Sequence, residues 1–159
     1  MRLSINAIGK QRRGPEADLV SDYIQRAENM ARPLGFSGLA LKEYEAARGL
    51  SGEKRQEAES QWALDNAEGA KILALDERGD QISSKALADM LAKLRDEGAQ
   101  QAAFLIGGAD GHAPRIADAA HRLIAFGRAT WPHMLVRAML AEQIYRSMTI
   151  LAGHPYHRQ

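Results

Sequence analysis

The chain contains no cysteine. That absence excludes disulfide staples, cysteine-ligated zinc and every thiol nucleophile, and it is compatible with a reducing compartment. Long apolar runs are missing as well. No stretch approaches the roughly 18 residues of a membrane span, and the N-terminus, MRLSINAIGK, lacks the extended apolar segment of a signal peptide. A soluble cytoplasmic protein with no membrane partner is the expectation. The common phosphate-binding patterns are also absent. The stretch FLIGGADG carries Gly107, Gly108 and Gly111, a spacing that is not G-x-G-x-x-G, and no Lys-Ser or Lys-Thr follows it. Asp110 stands where a phosphate would be repelled.

What is present suffices for one domain over residues 1–159. The 159 residues are 45% hydrophobic and 26% charged, enough for a core that needs no staple. The net charge of +1 hides an asymmetry. Residues 111–159 hold six arginines and no lysine, against only Asp118 and Glu142, together with all five histidines. This basic third reads either as a solvated face or as a phosphate-recognising one, and the planar guanidinium fork favours the second.

Periodicity gives alternating elements. RLSINAI alternates as a short strand, and Gly14-Pro15 opens a helix with Leu19, Tyr23, Ile24, Ala27, Met30 and Leu34 at helical spacing. GLALKEY reads as a second strand, residues 52–69 as a charged, mostly exposed helix, and KILAL as a buried strand ended by the turn signal DERGD. Ser83 caps a helix stopped by Gly98, and AAFLI is a further strand leading into the glycine loop. Pro114 starts a helix reaching about Leu123, IAFGRAT is the fifth strand, and a long helix spans about Met134 to Leu151. The order predicts an α/β fold with a parallel-rich sheet flanked by helices.

Ligands of such sheets sit at the carboxyl ends of strands, here after KILAL, after AAFLI and around ATWPHM. IGGADG is thus either a plain tight turn or a backbone-lined pocket wall. On the last helix Glu142, Tyr145 or Arg146, and Thr149 fall at i, i+3 and i+4 spacings, and Glu142 with Arg146 reads alternatively as a surface ion pair. The tail HPYHRQ packs two histidines, a tyrosine and an arginine into six residues, a density of stacking and phosphate-pairing groups unusual for a terminus. His154 and His157 have no third ligand at suitable spacing, so no metal is expected.

LIGGADG, WPHMLVRAMLAEQIYRS and GHPYHR, in that order, together with AIGK and LALDERG, resemble the RlmH family of SPOUT-class RNA methyltransferases over the whole length. The resemblance implies a SPOUT fold with a C-terminal trefoil knot, a homodimer, and S-adenosylmethionine as methyl donor. It further implies a pseudouridine of 23S rRNA, methylated at N3 on the assembled ribosome. Matching motifs assigns cofactor binding to Leu75, to Gly107 and to the run Phe126, Gly127, Arg128, Ala129, Thr130 and Trp131. That run departs from the wording usual in the family, which is richer in Ser, Met and Thr.

The residues bear on mechanism separately. Without cysteine, covalent addition to a pyrimidine ring is closed, whereas N3 methylation needs only in-line attack on a sulfonium methyl with loss of the N3 proton. Glu142 and His157 are candidates for taking that proton. Arg146 and Arg158 are candidates for holding phosphate or a developing oxyanion, and Tyr156 for stacking on or hydrogen-bonding the base. The catalytic set is therefore Glu142, Arg146, Tyr156 and His157, with RNA contacts at His133, His154 and Arg158. The alternatives are a non-catalytic ribosome-associated RNA-binding factor and a methyltransferase of the same fold acting on another RNA.

Overall fold

The computed structural model describes residues 1–46 and 49–156. Five strands form one sheet: β1 (Arg2–Ile8), β2 (Leu39–Tyr44), β3 (Lys71–Gln81), β4 (Gln101–Ile106) and β5 (Arg122–Ala125). Their order is β2-β1-β4-β3-β5, and every pairing is parallel. The strands are joined by α1 (Pro15–Ala31) with a short 3-10 turn (Arg32–Leu34), α2 (Gly52–Asp65), α3 (Ser84–Asp96) and α4 (Pro114–Ala119), and α5 (His133–Leu151) follows β5.

Side-chain alternation assigns the two faces of the sheet. Leu3, Ile5, Leu73, Phe104 and Ile106 pack against α1, α3 and α5 through Ala27, Leu87, Leu91, Leu140 and Ile144. On the other face Ile72, Ala74, Ala103 and Leu105 meet Ala63 of α2 and Ile116 of α4. Burial on both faces explains why β4 is an unbroken apolar run instead of an alternating one. Ser83 caps α3 as expected, its hydroxyl accepting the Ala86 N–H at 3.1 Å.

The elements differ from the sequence reading in four places. DERGD does not end β3: the strand continues to Gln81 through a bulge, its register against β5 shifting between Leu75 and Asp80. α4 stops at Ala119, short of Leu123, because Arg122 to Ala125 are drawn into the sheet beside β3. β5 accordingly ends at Ala125, and residues 126–130 are loop. Leu19, placed on the apolar stripe of α1, is 44% exposed. Gly79 explains the geometry of the bulge. A Cβ there would lie 2.6 Å from the Ile124 nitrogen, so only glycine lets the two backbones pass this closely.

Because all five strands are parallel, their carboxyl ends share one rim. Residues 126–132 leave β5 at the sheet's edge and deliver α5 to β1, three strands away. There a Cβ on Gly9 would stand 3.3 Å from His133 Nε2 and 3.6 Å from the Met134 methyl. At roughly 4.8 Å per strand this crossing covers about 14 Å, over the ends of β3 and β4. Gly9 has φ +90 as well, so its conformation disfavours a side chain and this contact adds crowding.

Candidate active site

Leu75 is paired to both Ile106 and Ile124, so the ends of β3, β4 and β5 lie side by side. Gly107 is the first residue beyond β4, and Phe126 the first beyond β5. Leu75 and Gly107 thus lie at neighbouring strand ends on one rim, and residues 126–131 belong to the segment that leaves the adjacent end of β5. Trp131 ties that segment to itself, its indole N–H donating to the Phe126 carbonyl at 3.0 Å. Gly127 adopts φ +93, whereas Arg128, Ala129 and Thr130 face solvent.

The glycine loop is braced from α2. Gly108 and Gly111 bridge across the turn, with the Gly111 N–H donating to the Gly108 carbonyl at 3.0 Å. Asp110 is an anchor: Arg55 Nε donates to its carboxylate at 2.9 Å, and Gln56 donates to the Asp110 carbonyl at 2.7 Å. Ser60 accepts the Ala113 N–H at 2.9 Å in the interior. The acid in a glycine-rich loop therefore turns away toward α2. Glu59 stands behind Gly108, where a Cβ would come within 2.7 Å of its carboxylate, and burial raises its carboxyl above the usual range against the pull of Arg55. His112 is tucked between the ends of β3 and β4. Burial depresses its pKa, opposed by Asp76, whose own carboxyl is lowered to about 2 by Arg78 hydrogen bonds.

A second cluster lies on α5. Arg146 donates to Glu142 Oε1 at 2.9 Å from Nε and is 2.6 Å away at Nη2. Gln143 donates to Glu142 Oε2 at 2.6 Å, and the Tyr156 hydroxyl donates to Oε1 at 3.2 Å. The Arg146 guanidinium sits 4.9 Å from the Tyr156 ring centre, and Tyr145 packs against the same ring at 4.8 Å. Burial, with Tyr23 and Glu142 nearby, pushes the Tyr156 phenol up to about 12, so it is a donor throughout the physiological range. His154 accepts the Tyr156 N–H at 3.2 Å within the tail, and the Tyr156 hydroxyl is what holds the tail to the helix. Thr149 is spent internally, its hydroxyl donating to the Arg146 carbonyl at 2.7 Å. His157 and Arg158 lie outside the described residues.

An open groove of about 640 Å³ joins the two regions, with Phe126 at one part of its wall and Glu142, Gln143 and Tyr23 at another. Leu75 and Gly107 do not line it, so Phe126 is the one sequence-assigned cofactor residue on its wall. Among the described residues no cluster of histidine, aspartate or glutamate is suited to a metal, and no helix is long and apolar enough to cross a membrane.

Sequence reasoning missed the Arg55, Gln56 and Ser60 bracket on a helix it read as mostly exposed, and it missed Arg137. This arginine is fully buried on α5. It pairs with Glu43 and donates to the carbonyls of Ile8 at 3.1 Å and Gly9 at 2.9 Å. A charge inside the apolar run MLVRAMLA is the one local sign of it.

A five-stranded parallel sheet flanked by helices is the fold that the chain shares with solved methyltransferases. The family model described as "Predicted SPOUT methyltransferase" matches residues 1–157, and the chain belongs to that family. It is 50% identical over 158 residues to a Hyphomonas neptunium protein named Ribosomal RNA large subunit methyltransferase H, covering 99% of each chain. A Cereibacter sphaeroides protein of the same name is 52% identical over 159 residues, again with 99% of each chain covered. Among solved structures, a tRNA (m1G37) methyltransferase from Aquifex aeolicus superposes with a TM-score of 0.54 at 11% identity, over 100% of this chain and 76% of that one. A probable methylase family protein from Haemophilus influenzae Rd KW20 gives 0.52 at 9%, over 99% and 70%. These two likenesses are of fold.

Proposed function

We propose that this methyltransferase uses S-adenosylmethionine to methylate N3 of a pseudouridine in 23S rRNA on the assembled ribosome, as a cytoplasmic homodimer of one-domain subunits. The naming of its half-identical, full-length relatives supports rRNA as substrate. The observation that carries the reading is the juxtaposition of Leu75, Gly107 and the 126–131 crossing on one rim. What supports the donor here is that Leu75 and Phe126 offer apolar surface and the loop amides and carbonyls can read an adenine edge, while Gly107 lets its own loop close, a Cβ there standing 3.0 Å from the Gly111 backbone.

When bound, S-adenosylmethionine supplies a methyl group activated by a sulfur cation. The chain's residues have to align the N3 lone pair with it as the N3 proton departs. Glu142 takes three donor side chains, so in this reading it positions Arg146 and Tyr156 and does not remove the proton. Tyr156 offers its ring to the base, and Arg146 stabilises charge growing on the pyrimidine oxygen. His157 is then the proton acceptor, with His133, His154 and Arg158 as RNA contacts.

The groove between α1, α3 and α5 supports the second copy. Leu19, Leu135 and Met139 line it, and Leu19 at 44% and Trp131 at 41% are exposed large apolar side chains. A trefoil threading of the C-terminal segment belongs to the same reading, supported by membership of the SPOUT methyltransferase family. The test is nucleoside mass spectrometry of rRNA from a strain lacking the gene. N3-methylpseudouridine should vanish and return on complementation; its persistence would refute the assignment.

A further inference from the structure

The loop after β1, residues 9–14, lies on the same rim as the candidate cofactor loops, because β1 is the neighbour of β4 and parallel to it. It reads Gly-Lys-Gln-Arg-Arg-Gly, and Lys10, Arg12 and Arg13 are all exposed. None of the three has a hydrogen-bond or ion-pair partner among the described residues, although ten other ion pairs form there. Glu16, at the start of α1, is the acid beside them, its Oε2 3.5 Å from where a Cβ of Gly14 would stand.

Idle surface cations usually sit on unconstrained chain, and this loop is instead bolted down from beneath. Arg137 binds the Ile8 and Gly9 carbonyls from the interior and pairs with Glu43. The same Glu43 Oε1 accepts the Gln11 N–H at 2.8 Å, and the Gly9 N–H donates to the Tyr44 carbonyl at 2.6 Å. His133, opening α5, packs on Gly9. Burying an arginine to fix the start of this loop, at Ile8, Gly9 and Gln11, makes physical sense where the cations on it must meet something at a set distance from the neighbouring strand ends.

We propose that Lys10, Arg12 and Arg13 form a phosphate-binding clamp for the substrate RNA backbone, held at the rim by the Glu43 and Arg137 pair, which are positioning residues. The proposal rests on the RNA-methylating reading above. Phosphate contacts fix register without reading sequence, which suits a loop beside the reacting base and away from its edges.

The test uses the full chain and intact ribosomes lacking the modification, with Lys10→Ala/Arg12→Ala/Arg13→Ala as the main variant. KM for ribosomes should rise ten- to a hundredfold, with kcat at saturation within about twofold and S-adenosylmethionine affinity unchanged. The dependence of log affinity on log salt should become shallower by about two, since each released phosphate contact contributes roughly 0.7 on single-stranded nucleic acid. Glu43→Ala should raise KM in the same direction, whereas Glu43→Gln, which keeps an oxygen acceptor for Gln11 and Arg137, should stay within about threefold. If the wild-type protein methylates ribosomes and the triple variant matches it in KM and salt slope, the clamp is refuted and the enzyme assignment stands. If the wild-type protein neither binds nor methylates them, both fail.

Discussion

Replacing Arg137 by methionine removes a charge that is 0% exposed, and the structure sets the scale of the loss. The variant strips a donor from the Ile8 and Gly9 carbonyls and from the Glu43 carboxylate. A buried acceptor left without a partner costs about 1–3 kcal/mol, and breaking a buried pair on one side about 3–5 kcal/mol. Two features reduce the figure. The Glu43 side chain is 28% exposed and can be hydrated, and Arg137 Nε is already buried without a partner, so removing the guanidinium relieves some desolvation. Burial also lowers the Arg137 pKa, with Glu43 opposing, which gives the same sign. The net expectation is about 3 kcal/mol, or roughly 6–12 °C in Tm for a chain of this length. Urea titration at fixed protein concentration, followed by the fluorescence of Trp62 and Trp131 and by circular dichroism, measures it. Arg137→Met/Glu43→Leu should cost less than the two single variants summed, by at least about 1 kcal/mol. A midpoint within error of wild type for Arg137→Met, at unchanged m, would refute the reasoning.

Gly79→Ala would put a methyl 2.6–2.7 Å from the backbone of Leu123 and Ile124, which cannot yield; a destabilisation of about 3 kcal/mol or more, or failure to fold, is expected in a thermal melt. Tyr156→Phe removes one of several donors to Glu142, so stability should change by no more than about 1 kcal/mol. Methyl transfer should fall at least tenfold with S-adenosylmethionine affinity intact by calorimetry; full turnover would remove the phenol from the site. His112 and His133 have depressed folded-state pKa values, so the folded protein binds fewer protons than the unfolded chain. Stability should therefore fall as pH drops below about 6.5 and level off beneath the folded values, with Asp76 adding a further loss only as pH falls from about 4 toward 2. His112→Leu should flatten the first segment, and an unchanged denaturation profile between pH 7 and 5 would contradict the burial argument.

Element type was legible wherever period and length agreed. RLSINAI, GLALKEY and AAFLI fall within a residue of their strands, and the long last helix within one of its start. Three of the four misplacements, all but exposed Leu19, share a cause: DERGD carries turn residues, yet pairing of Asp80 and Gln81 with β5 keeps it in the sheet, and the same pairing shortens α4 and β5. Tertiary contact overrides local propensity there, and no window on the chain contains both partners. Of the candidate site, the loops at the strand ends and the proximity of Glu142 and Arg146 were legible from periodicity, whereas the return of Tyr156 onto Glu142 was not, because fourteen residues separate them. The Arg55, Gln56 and Ser60 bracket was not, since its partners lie about fifty residues away and the helix carries no apolar stripe to orient it.

The most direct test is reconstitution with purified protein, S-adenosylmethionine labelled in its methyl group, and ribosomes from cells lacking the modification. After complete digestion, the label should appear in one nucleoside of the large-subunit rRNA, N3-methylpseudouridine, with none transferred to free tRNA. Label in a different nucleoside, label in tRNA, or no transfer at all would contradict the account.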